Sequence, residues 1–496
     1  MTVSRRQLIG SSAAVGAGMA LGSAAGASSA EAAPAASPTG TGLKPGTGRL
    51  FPPLQHAPGD LLALPAGFSY RVLGASGRTD LDGGLGKTPD RPDGTGCFAS
   101  GSGLRLVQNH EISPTRGAEY PVPLVKGTVY DPAFTAGSGG CTVIETSASG
   151  RRRGEWVGLS GTANNCAGGV TPWGSWLSCE ETEDKAGTSG NGITYEKDHG
   201  YVFEVLPSGP GTQVPRPIKA WGRFAHEAVV VAPDRRTVYL TEDSSTPNGL
   251  FYRWSAPEGM RLGAGLADRL GASSGRLQAM VVLASDGSVL PDLSYVTSAQ
   301  IGRPWKVRWA HVPDRSAATA SVRTQFADGT VTRSKKLEGA WGNRQGVFFA
   351  ASFAIGLGTD VPAGAVQHDG QIWFYDYAAE TLTLLAYFPY DAAQHDGSGT
   401  GSVRYPDLVF DGPDNVHVSP YGTLVLAEDG ENYQHLLSFT PRTGTQAIVR
   451  NLIPFEGGFA EMTGPTFSPD GSVLFGNVQE PGHTFAIHGP WARYLG

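Results

Sequence analysis

Acidic residues recur in this chain at the ends of short apolar runs, and one run carries a cysteine. The endings read Asn109-His110-Glu111, Cys179-Glu180-Glu181, Glu242-Asp243, Glu428-Asp429 and Gln479-Glu480. A second set opens runs: Asn164-Asn165-Cys166, Phe224-Ala225-His226-Glu227, Leu337-Glu338, Asp414-Asn415 and Glu461. Carboxylates gathered around one axis repel each other unless cations sit among them. Oxygen ligands suit Ca²⁺; a thiolate among carboxylates suits a transition metal such as iron. From spacing alone Cys166 reads equally as a metal ligand or as a disulfide-bonded or buried thiol. Side chains alternate along a strand, so Glu180 and Glu181 face opposite ways and only one can point at a shared axis while the strand continues. His226 has the chemistry of a general acid, a base or a ligand, but reads best as a residue that holds Glu227 in place; His110 beside Glu111 reads the same way. The acidic loop from Asp80 to Asp93 lacks calcium-loop spacing and reads as a polar loop.

The elements that would position these residues repeat six times. Each copy is a strand, a turn and a strand ending in polar residues, followed by a short aromatic and β-branched run. The copies are Gly96 to Glu111 with Cys141 to Glu145, Ala163 to Glu181 with Tyr201 to Val205, and Arg223 to Asp243 with Leu250 to Trp254. The others are Glu338 to Ser352 with Ile372 to Tyr377, Pro413 to Asp429 with Leu436 to Phe439, and Met462 to Glu480 with Thr484 to Ile487. Irregular copies of one multistranded unit predict an all-β fold, a six-bladed β-propeller. Residues 48–496 are then one propeller domain, and 255–336, which interrupt the repeat, read as an insertion between the third and fourth blades or as a degenerate blade. Such a fold would bring the equivalent strand ends, and so the acidic residues, to one channel.

Composition agrees: 70 glycines and 17% charged residues suit short strands joined by tight turns. The net charge of −7 argues against nucleic acid as the main partner. Ser4-Arg5-Arg6-Gln7-Leu8-Ile9, an apolar stretch to Ala27 and Ala30-Glu31-Ala32 read as a twin-arginine signal over residues 1–32, followed by a flexible leader over 33–47. That route exports folded proteins, so the expectation is a secreted or extracytoplasmic protein that meets the twin-arginine export machinery and has no membrane span in its mature form. Disulfides are expected in such a compartment; Cys97 and Cys141 are placed in consecutive strands and could pair, while Cys179 stays open between ligand, disulfide partner and buried filler.

Several of these segments resemble the PhoX-type alkaline phosphatases, exported bacterial six-bladed propellers. The resemblance rests on Val107 to Glu111, Asn164-Asn165-Cys166 through Thr171-Pro172-Trp173-Gly174 to Cys179-Glu180-Glu181, Arg223 to Glu227, Pro413 to Asn415, Thr463 to Gly471 and Asn477 to Gln479. It implies a phosphomonoesterase acting on small phosphomonoesters, with two Fe³⁺ and two or three Ca²⁺ at the channel. By motif position Cys166 would be the bridging thiolate and Glu181 and Glu227 iron carboxylates. The family's Arg-Pro-Glu-Trp-like motif has its nearest match in Leu337-Glu338-Gly339-Ala340-Trp341, which assigns Glu338 and marks a divergent branch. Glu111, Glu180, Asp243, Asp414 and Glu428 would be calcium ligands. The metals would neutralise phosphate oxygens and stabilise the leaving alkoxide. A calcium-dependent propeller hydrolase, such as a lactonase or phosphotriesterase, and a secreted binding propeller without catalysis are the rival readings; an all-oxygen calcium site has no need of the thiol.

Overall fold

The computed structural model describes residues 40–496 except 114–116, 135–137, 191–192, 211–213, 355–368, 389–409, 431–432 and 457. The signal segment, and the leader as far as residue 39, therefore lie outside the described residues. What is described is all-β and propeller-like; its only α-helices are the short Leu266–Arg269 and Trp491–Leu495.

The repeat read from the sequence maps onto antiparallel ladders. Their first strands are Pro92–Ser100, Asn165–Val170, His226–Val231, Leu337–Gly342, Pro413–Val418 and Met462–Phe467. These strands touch one another in a ring, each packing on the next and the last on the first. The sheets behind them differ from the expected set of separate blades. Four stand apart, with four, three, six and four strands. The fifth has ten strands, nine of them in one unbroken path, because Pro304–His311 pairs with both Arg276–Leu283 and Thr381–Phe388; the tenth, Arg333–Ser334, pairs with Gly249–Ser255 off that path. The interrupting segment thus supplies outer strands that weld two ladders together. Its later part returns over the rim, where Arg223 donates to the carbonyls of Ser316 and Ala317 and Arg315 to those of Ala220, Ser274 and Gly275. The chain ends are tied in as well: Ser69–Ala75 pairs with His483–His488 and completes the last sheet.

Both faces of these strands are buried, so the strands read as continuous apolar runs. In His226–Val231, Val229 and Val231 enter a core with Leu240 and Trp254, while Ala228 and Val230 enter the neighbouring core with Phe349 and Trp373. In Leu424–Glu428 the same period-2 split sends Leu424 and Leu426 one way and Val425 and Ala427 the other.

Each first strand carries a register shift at the same place: between Pro92 and Thr95, Asn165 and Gly168, His226 and Val229, Leu337 and Ala340, Pro413 and Val416, and Thr463 and Thr466. A bulge of this kind re-aims side chains and bends the strand. In four of the bulges the second residue, Gly94, Ala167, Ala228 or Gly339, is small, and at Gly94 and Gly339 neighbouring backbones meet. A Cβ on Gly339 would lie 2.7 Å from the Asn415 Cα, and one on Gly94 would lie 2.7 Å from the Ala167 Cα.

Gly339→Ala is therefore expected to push the Leu337–Gly342 and Pro413–Val418 strands apart and to cost about 1–3 kcal/mol, the usual range for overpacking. Urea unfolding followed by tryptophan fluorescence checks this; an unchanged midpoint would show that the close approach is not constrained.

Candidate metal centre

The bulges convert a repeat in sequence into a cluster in space. In five of the ladders the residue just inside the first strand is Asp93, Cys166, Glu227, Glu338 or Asp414, and all five are buried. The residue just past the end of the partner strand comes next to them: Glu111, Glu181, Asp243 and Asp429, with Gln479 at the sixth ladder. Three overlapping groups have one ligand atom per residue within 4.8 Å of one another: Cys166, Glu181 and Glu227; Glu227, Glu338 and Asp414; and Asp414, Asp429 and Glu461. Glu227 and Asp414 are shared, so the groups form one continuous arc. Gln479 Nε2 closes its far side, donating to Asp93 Oδ2 at 3.1 Å and Glu111 Oε2 at 2.7 Å.

The scaffold holds these groups tightly. Asn109 Nδ2 donates to the carbonyls of Cys166 and Ala167 at 2.7 and 2.6 Å, fixing the backbone that carries the thiol. Asn164 takes a left-handed backbone (φ 53°) and donates to Glu181 Oε2 at 2.8 Å. Ser352 Oγ donates to Glu338 Oε1 at 2.6 Å.

Electrostatically the arc is poised for cations. Burial, then the neighbouring Glu181, Glu338, Asp414 and Asp93, push the Glu227 carboxyl well above the ordinary range. Burial and Glu338 do the same to Asp414, and burial with Asp429 to Glu461. The Cys166 thiol is raised by burial and by Glu227 and Glu181. A buried thiol among clustered acids fits a positive ion, whose charge would lower every one of these values.

Several residues singled out in the sequence do not point at the arc. Glu180 turns into its own sheet: Oε1 accepts from Ala163 N at 3.0 Å and meets His199 Nδ1 at 2.6 Å, and Oε2 accepts from Gly200 N at 2.9 Å. Glu428 does likewise, with Asp411 N at 2.9 Å and His435 Nδ1 at 2.7 Å. Strand alternation is the cause: Glu180 and Glu428 are ladder partners of Asn165 and Pro413, and the next residue, Glu181 or Asp429, faces the axis. Their assignment as calcium ligands is corrected accordingly. His226 is buried, lies 3.2 Å from the Gly222 carbonyl and packs on the Phe224 ring; burial lowers its pKa to about 3. His110 bridges the Asp90 carbonyl and Thr142 Oγ1. Both histidines face away, and the hydrogen bonds of their rings go to those groups instead of to Glu227 and Glu111.

Asp93, Asp429 and Glu461 join the arc although the sequence reading did not select them as ligands. Asp429 was legible as the partner of Glu428, and Asp93 only through the bulge that follows Pro92. The Cys97–Cys141 pairing is excluded: all four cysteines are free. Cys97 and Cys141 lie on strands separated by Gly103–His110, and their registers are offset, Cys97 opposite Leu106 and Cys141 opposite Asn109. Two strand spacings of about 4.8 Å already exceed the reach of a disulfide. Cys179 is a buried member of the same apolar core as Leu177 and Val202.

The family model for "Alkaline phosphatase PhoX" matches residues 49–482. Among solved structures, Pseudomonas fluorescens PhoX in complex with vanadate, a transition state analogue, is similar with a TM-score of 0.63 at 19% identity, over 90% of this chain and 99% of that one. The holo pyranose dehydrogenase PQQ domain from Coprinopsis cinerea aligns with a TM-score of 0.44 at 10% identity, over 87% and 98% of the two chains. No curated protein sequence matches the chain.

The raised carboxyls make stability depend on pH in a defined direction. A carboxyl whose folded pKa exceeds its unfolded value favours the fold below about pH 4 and loses that contribution as pH rises through the raised value. Protein stripped of cations is therefore expected to melt at progressively lower temperature from about pH 5 upward. Adding back cations should abolish most of that slope. Melting curves across pH with and without chelator check this; a stripped protein that gains stability toward alkaline pH would contradict it.

Proposed function

The chain belongs to the alkaline phosphatase PhoX family and is a phosphatase, and we propose that it is an exported phosphomonoesterase whose active centre is the acidic arc. The observation that carries this reading is the composition of the arc: one thiol-bearing group joined through Glu227 to an all-oxygen group, which is joined through Asp414 to a second. A thiolate with two carboxylates suits iron, and the oxygen-only groups suit calcium. Cys166, Glu181 and Glu227 would then hold iron, with Glu227 shared with the neighbouring oxygen-only group that contains Glu338. Asp414, Asp429, Glu461, Asp93 and Glu111 would hold calcium. Bound there, the ions would neutralise phosphate oxygens and stabilise the leaving alkoxide. The chain's own residues orient the donors. Asn109 and Asn164 set the thiol and Glu181, and Gly94 and Gly339 let neighbouring strand backbones approach closely. Both histidines beside the arc are turned away, which leaves proton supply to the leaving group to solvent.

The vanadate complex of the Pseudomonas fluorescens relative supports phosphoryl chemistry at a site of this kind. Export through the twin-arginine route rests on Arg5 and Arg6 and on the small-residue stretch behind them. We also read the ten-stranded sheet as two fused blades, which makes six; the six bulged first strands support that count.

Elemental analysis of the exported protein tests the centre: iron together with calcium is expected, and calcium alone would favour a hydrolase of another class. Cys166→Ser should lose most of the iron while keeping the fold, because a hydroxyl is a poor substitute for a bridging thiolate. Full iron content in that variant would overturn the ligand set.

Glu227→Gln should be far more damaging than His226→Ala. The amide keeps the shape but removes a charge shared by two groups of the arc. His226 bonds the Gly222 carbonyl and packs on Phe224, away from the arc, so its truncation should cost mainly packing. Rates on a generic phosphomonoester at alkaline pH, with metal content measured alongside, decide between them. A dead His226→Ala beside a metal-loaded, active Glu227→Gln would reverse the roles.

A further inference from the structure

Around the arc, two of the residues past a partner strand meet ligand residues of their own ladder and of the next. Glu181 lies with Cys166 of its own ladder and Glu227 of the next; Asp429 lies with Asp414 of its own ladder and Glu461 of the next. By the same geometry Asp243 belongs with Glu227 and Glu338. Among the described residues, however, no candidate ligand group contains Asp243. Lys336 takes its place. Its Nζ lies 2.9 Å from Asp243 Oδ2 and 2.7 Å from Glu338 Oε1, bridging the two carboxylates.

The ammonium is anchored from behind. Lys336 has a left-handed backbone (φ 51°), donates its N–H to the Ser244 carbonyl at 3.2 Å and accepts from Ser352 N at 3.1 Å. Ser352 also donates its hydroxyl to the same Glu338 oxygen that Lys336 uses. The preceding Lys335 turns aside, its Nζ over the Phe353 ring. The separations of 2.7 and 2.9 Å are those of charge-assisted hydrogen bonds, longer than the 2.3–2.6 Å of calcium–oxygen contacts. A divalent ion placed between these carboxylates would also have to sit against the ammonium.

We infer, on the reading of the arc as a metal centre, that Lys336 is a built-in cation that fills the position between Asp243 and Glu338 in place of a divalent ion. Asp243 is then a partner of lysine, not a metal ligand, and the centre carries one ion fewer than the repeat of its carboxylates would accommodate. A lysine charge is covalently tethered, so this part of the arc keeps its neutralisation when chelators remove the rest.

Calcium titration calorimetry on chelated protein, with elemental analysis of the protein as exported, tests the inference. Lys336→Met should bind one more Ca²⁺ per chain than wild type, and its melting temperature should depend more steeply on calcium. Lys336→Arg, which keeps the charge, should retain the wild-type count. Asp243→Asn should leave the wild-type metal content unchanged, and in the Lys336→Met background it should remove the extra ion. Equal calcium counts in Lys336→Met and wild type would overturn the inference, as would loss of an ion in Asp243→Asn alone. If Lys336→Met does not fold, the Asp243→Asn count decides. Exported wild-type protein without bound metal would defeat the metal-centre reading instead, and the calcium difference between variant and wild type would still judge the lysine.

Discussion

Mutual repulsion among buried carboxylates is the constraint on which the rest of this structure depends. Glu227, Glu338 and Asp414 converge within 4.8 Å, and the chain does not let them separate. It holds them through six first strands packed in a ring, each bulged at the same place and each pressed so closely on its neighbour that Gly94 and Gly339 leave no room for a side chain. The apolar cores between the sheets, with residues such as Trp254, Phe349 and Trp373 fully buried, oppose the splaying that repulsion favours. The site is strained electrostatically so that it can be relaxed by cations, which is what a centre for anionic substrates needs.

The same constraint explains why so many acids near the channel are not part of it. Glu180, Glu242 and Glu428 occupy equivalent positions one residue short of the axis, and each is satisfied inside its own sheet. Glu242 accepts from Tyr252 Oη at 2.6 Å and pairs with Arg323 at 3.0 Å. His199 lies between Glu180 and Asp131; burial works against its charge, but the two carboxylates outweigh that and raise its pKa to about 9. A buried carboxylate with donors on both oxygens holds the strand end rigid, and the residue after it inherits that rigidity. The chain therefore uses acids in pairs, one as an internal anchor and the next as a candidate ligand.

Lys336 shows how a repeat can be broken without losing its shape. The ladder around Asp243 keeps the strands, the bulge and the acids of the others, and sets a lysine ammonium against them. The interrupting segment after this ladder adds a second variation, since its strands fuse two sheets and its return over the rim places Arg323 against Glu183 and Glu242.

The sequence by itself determined the all-β class, the six-fold repeat of strand pairs and the placement of Cys166, Glu227, Glu338 and Asp414 at strand starts. These follow from local rules: apolar runs, turn residues and the period of a strand. It also carried the choice between Glu180 and Glu181, because alternation allows only one of them to face the axis. Which of each pair does so was decided by register, and register depends on the bulge and on partner strands distant in the chain. The same holds for Asp93, Asp429 and Glu461, and for the separation of Cys97 from Cys141 by an intervening strand. That Pro304–His311 would join two sheets, and that a lysine would stand between Asp243 and Glu338, required the tertiary structure, because both depend on contacts between segments whose spacing in the chain carries no periodic signal.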